Sequence, residues 1–88
     1  MPSVLAIGAL SLEACRTKVA DFLAGQDRPV RLIEVRLLDS KRSNGVGINE
    51  WRLEKDKNLA VIADQIALYI VRHQSAGATI LVRRDDRS

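Results

Sequence analysis

The hydrophobic period of this chain switches between two residues and 3.6 residues in a fixed alternation, and that alternation limits the fold more than any single residue does. Ser3-Val4-Leu5-Ala6-Ile7-Gly8-Ala9 is a short continuous apolar run, which reads as a strand buried on both faces. Ser11 then caps a helix expected from Leu12 to about Ala24, with Leu12, Cys15, Val19, Phe22 and Leu23 on one side and Gly25 as its end. Arg28-Pro29 restarts the chain in extended form, and Val30 to Asp39 carries Ile33, Val35 and Leu37 in strict alternation.

The polar stretch Ser40 to Gly45 ends in an Asn-Gly step, whose tolerance of positive φ makes it a strong hairpin signal. It leads into a strand from Val46 to Glu54, with Trp51 and Leu53 on one face and Glu50, Arg52 and Glu54 on the other. Asn58 is placed to cap a second helix running from Leu59 to about Ser75. Its stripe is Leu59, Ile62, Ala63, Ile66 and Ile70, with Tyr69 and His73 at the edge and Gly77 as the stop. Ala78 to Val82 is the last strand, and residues 83–88 are expected to fray.

The resulting order is strand, helix, strand, strand, helix, strand. Right-handed crossovers close such an order into an α+β domain, with a four-stranded antiparallel sheet and both helices on one face. This resembles the split βαβ arrangement of ferredoxin-like domains. The resemblance is one of topology and implies no activity, because the fold hosts unrelated functions. With 88 residues there is room for a single core, so residues 1–88 are read as one domain. RNA-recognition modules share the topology, but their stacking strand aromatics are missing: the aromatic content is 3% and the first strand has none.

Composition excludes more than it selects. A single cysteine, Cys15, permits no intramolecular disulfide, and one histidine, His73, cannot complete a closed zinc site with it. Neither metal nor cofactor is called for, and no small-molecule substrate is evident. The apolar N-terminal run has no preceding Lys or Arg, and Ser11 and Glu13 interrupt the approach to Cys15, so it does not read as an export signal. No run approaches the length of a membrane span, and a cytoplasmic protein is expected.

Cys15 sits on the apolar stripe of the first helix, where a thiol acts as a small hydrophobe. His73, in the last helical turn, complements the helix dipole. Gly45-Val46-Gly47 lacks the following helix and the Lys of a phosphate loop. Glu34 beside Arg36 and Glu50 beside Arg52 read as cross-strand ion pairs on a solvated face. No catalytic constellation survives, so the chain is read as a non-enzyme, save for a site assembled across an oligomer interface.

Two features remain. If Ile7, Ile33, Val35 and Val82 point toward the helices, then Val4, Ala6, Leu32, Leu38 and Leu81 point away from them. On the second helix Val61 and Leu68 project opposite the core stripe. Apolar positions in excess of one two-layer core suggest a face covered by a second copy or a protein partner. The alternative is a small basic nucleic-acid-binding protein. The topology gathers Arg16, Lys41, Arg42 and Arg72 at one pole beside the Ser11 helix N-terminus, within a net charge of +3.

Overall fold

A computed structural model describes residues 3–38, 46–54 and 58–84. The elements are β1 (Val4–Gly8), α1 (Leu12–Ala24), β2 (Val30–Leu38), β3 (Val46–Arg52), α2 (Leu59–Arg72) and β4 (Gly77–Arg84). They form one antiparallel sheet in the order β1-β4-β2-β3. The class is the expected one, α+β with the ferredoxin-like succession, and each βαβ unit is split by a strand of the other. Its inner pair is β4 and β2; the first and third strands, inner in the commonest ferredoxin-like sheets, are here the edges.

Local chemistry sets the helix ends. The Ser11 hydroxyl accepts the Ala14 N–H at 3.2 Å to open α1, and Gly25 closes it by donating its N–H to Asp21. Asn58 Oδ1 accepts the Ala60 N–H at 2.9 Å to open α2. That helix ends at Arg72 with His73 as its cap, short of the expected Ser75, and the chain turns through Gln74 in the left-handed region at φ 51. Gly77 is therefore not the helix stop but the first residue of β4. Ser75 lies between them and stitches β2 to β4. Its hydroxyl accepts the Leu38 N–H at 3.0 Å and lies within hydrogen-bonding distance of the Leu38 and Gly77 carbonyls.

The core lies between the sheet and the helices. Ile7, Ile33, Val35, Leu37, Ala78, Ile80 and Val82 point into it from the strands. Cys15, Val19, Phe22 and Leu23 enter from α1, and Ile62, Ala63, Ile66, Ala67 and Ile70 from α2. Leu12 does not join them: it lies in the first turn of α1 and remains exposed. β1 is not buried on both faces either. As an edge strand it buries only Ile7, and Val4 is 48% exposed.

β4 continues through Arg83 and Arg84, which pair with Leu32 and Val30 and so belong to the sheet rather than to a frayed tail. A register shift between Val30 and Leu32 marks a bulge in β2. One expected bound moves inward, since β3 ends at Arg52 rather than Glu54, while β2 is described to Leu38. Asp39 and the Asn44-Gly45 turn lie outside the described residues, but the flanking strands pair as a hairpin requires, up to Leu38 opposite Val46.

Candidate functional site

Both helices cover the same side of the sheet, so the other side is bare. Strand register fixes what that side displays, because alternate residues of each strand share a face and directly opposite residues form rows across the sheet. One row reads Val4, Leu81, Glu34, Glu50, and the next reads Ala6, Thr79, Arg36, Ile48. Outside the first lie Arg83, Leu32 and Arg52; outside the second lie Gly8, Gly77 and Leu38.

The structure thus brings together five of the seven expected interface residues: Val4, Ala6, Leu32, Leu38 and Leu81. Val61 and Leu68 do not join them. Both are exposed, but on α2, on the helix side of the sheet, where Leu68 borders a groove with Asn49 and Trp51 of β3, so the sheet itself separates them from the bare face. One flat partner surface cannot cover both regions. Ile48 is the residue that sequence reasoning missed. It is the most exposed large hydrophobic residue among those described, at 54%. Its even spacing from Glu50 and Arg52 already assigned it to their face.

The charges on this face are not the expected cross-strand pairs. Arg36 Nε donates to Glu34 Oε2 at 2.7 Å, a bond between neighbours on the same face of one strand. Across the strands Glu34 stands opposite Glu50. The Leu53 N–H donates to the Arg31 carbonyl at 2.8 Å, so hydrogen-bonded pairs fall on odd positions of β2. Glu34 and Glu50 therefore form a non-hydrogen-bonded pair, the kind that brings side chains closest. Like charges placed so are destabilising within one chain. A shallow concavity of about 220 Å³ lies over this spot, with Val4, Leu32 and Leu81 in its apolar lining and its charges from Glu34, Glu50, Arg36 and Arg83.

Of the expected basic pole, Ser11, Arg16 and Arg72 are described. Ser11 spends its hydroxyl on capping α1. Arg16 leans toward α2, with its guanidinium 3.7 Å from Asp64. Arg72 borders a different groove, between β3 and α2, lined also by Asn49, Trp51, Gln65, Leu68 and Tyr69. Lys41 and Arg42 lie outside the described residues. In that groove Trp51 meets Tyr69 edge-on with ring centroids 5.8 Å apart, and Tyr69 meets His73 at 4.8 Å. Trp51 Nε1 donates to Gln65 Oε1 at 3.2 Å. Burial pushes the Tyr69 hydroxyl above its ordinary pKa.

Cys15 is 1% exposed, and burial raises its thiol pKa, which disfavours the nucleophilic thiolate. Among the described residues no group of three His, Cys, Asp or Glu side chains is placed to hold a metal ion. None of their helices is long and apolar enough to cross a membrane. No protein-family model matches the chain, and no curated protein matches its sequence.

Proposed function

We propose that this chain is a non-enzymatic, cytoplasmic interaction domain that self-associates by stacking its bare sheet face on that of a second copy. The observation that carries this reading is the order of charge on the face. A two-fold axis running across the strands, between the Val4/Leu81/Glu34/Glu50 row and the Ala6/Thr79/Arg36/Ile48 row, exchanges the two rows. Glu34 then faces Arg36 of the partner copy, and Arg36 faces its Glu34, while Leu32 faces the partner's Leu38. One patch meets itself, as an isologous contact requires. The unfavourable Glu34/Glu50 approach acquires a compensating cation from the second chain. Four strands at a spacing of about 4.8 Å, running from about 17 to about 30 Å at about 3.3 Å per residue, make a face small for an obligate dimer, so association is reversible and concentration-dependent.

The test is a charge swap read by light scattering. Glu34→Arg alone and Arg36→Glu alone should each weaken association. Mixing the two variants should restore it, because every 34/36 contact in the mixed pair is again of opposite sign. Two weakened variants that stay apart when mixed would overturn this arrangement.

A further inference from the structure

The two edges of the sheet are not equally protected, and the difference points to a second contact. On β3 the residues whose backbone groups turn outward are those even in number, because Leu53 bonds Arg31 and the ladder alternates from there. That edge is blunted. The outward N–H of Glu50 is already taken by Asn49 Oδ1 at 2.9 Å, and Glu50 and Arg52 put charge beside it.

On β1 the Val82 N–H donates to the Ser3 carbonyl at 2.9 Å, so the inward-bonded residues are Ser3, Leu5 and Ile7. Val4, Ala6 and Gly8 therefore turn their N–H and C=O groups away from the sheet. The strand is Val-Leu-Ala-Ile-Gly, with no charge and no proline. An edge left in this state is a template for another strand.

We infer that β1 pairs antiparallel with β1 of a second copy, in a register centred on Ala6, to make one continuous eight-stranded sheet. The occupant follows from the strand's own symmetry. With Ala6 opposite Ala6 of the partner, Val4 falls opposite its Gly8, and every outward backbone group of β1 finds a partner of the right kind. Shifting the centre to Leu5 or Ile7 leaves part of that set unpaired. Side chains permit the approach: Ala6 and Gly8 are small, and Val4, nearly half exposed, gains the space above the partner's Gly8. Leu5, half-buried against the core, stands beside the partner's Ile7 on the helix side, so the two cores become adjacent. This contact is distinct from the stacking of sheet faces and does not depend on it. Where both operate, the chain associates beyond a dimer.

Amide hydrogen exchange on the full chain at rising concentration, together with light scattering, tests the pairing. The Val4, Ala6 and Gly8 amides should become protected as concentration rises, since within one chain they have no ladder partner. Ala6→Pro removes one outward N–H and no inward one, which an edge strand tolerates. It should leave the dilute far-UV spectrum unchanged, abolish the protection at Val4 and Gly8, and halve the limiting mass. Ala6→Lys keeps the N–H but sets like charges opposite each other at the centre of the register, and should act in the same direction if the proline variant fails to fold. Exchange at these amides that ignores concentration, or a mass unmoved by either variant, overturns the pairing. Ala6 also lies on the bare face, so mass alone does not separate the two contacts. Amide protection at Val4 and Gly8, which face stacking does not bond, reports the edge, and a mass that responds to Glu34→Arg while that protection never appears leaves face stacking standing alone.

Discussion

Gly8 and Gly77 stand opposite each other across β1 and β4, yet only one of them has to be glycine. A Cβ on Gly77 would lie 2.6 Å from the Ile7 carbonyl oxygen, a backbone atom that cannot swing aside, whereas a Cβ on Gly8 meets nothing within 4 Å. Gly77→Ala should therefore lower stability by about 1–3 kcal/mol through overpacking, and Gly8→Ala should leave it nearly unchanged. Urea unfolding of the two variants side by side decides the matter; equal midpoints would mean that β1 does not approach Gly77 this closely. Sequence spacing alone suggests a helix stop at Gly77, because the close approach depends on a strand nearly 70 positions earlier in the chain. Cys15 is the opposite case. Its place on a helical apolar stripe was enough to bury it.

What the elements disclosed in advance was their face and not their neighbours. Alternation in β2 and the stripes on α1 and α2 marked Ile33, Val35, Leu37, Val19, Ile62 and Ile66 for the core, and all are buried. Periodicity cannot say which strand lies beside which. That is why β1 reads as a doubly buried strand although it is an edge, and why Arg83 and Arg84 read as tail although β2 holds them. One contact follows from that strand order: Arg84 Nη1 donates to Asp27 Oδ1 at 2.6 Å and ties the end of β4 to the loop before β2. Partial desolvation pushes the Asp27 carboxyl up, but its backbone hydrogen bond and the Arg84 guanidinium outweigh this and hold it below its ordinary value. A lowered folded value means that the pair stabilises the chain above the unfolded aspartate pKa, about 3.9, and that this is lost as pH falls through the folded value. Asp27→Asn should thus unfold slightly earlier than the parent at neutral pH, and the two melting curves should converge as pH falls below about 4. An offset that persists unchanged into acid would assign the difference to something other than the charge.

Among the described residues the buried side chains form one cluster, to which both helices and β1, β2 and β4 contribute, with Leu53 just past β3 inside it and Trp51 of β3 packed against it. In dilute solution unfolding should then be a single transition. Trp51 is the one tryptophan, held between β3 and α2 by Tyr69 and Gln65. Its fluorescence reports the β3/α2 side, while far-UV ellipticity reports the whole backbone, and their midpoints should coincide. Self-association adds a condition that a monomer cannot meet. A contact made only by the folded chain stabilises it by mass action, by up to about 1.4 kcal/mol per mole of dimer for each tenfold rise in concentration once pairing is substantial. The coincident midpoints should therefore climb together with protein concentration. Joining Glu34→Arg to Ala6→Pro removes a central charge of the face and an outward donor of the edge while leaving the buried cluster intact. The double variant should unfold at one midpoint whatever the concentration. A parent protein that already behaves that way would be a monomer, and its bare face and open edge would then have no second copy to explain them.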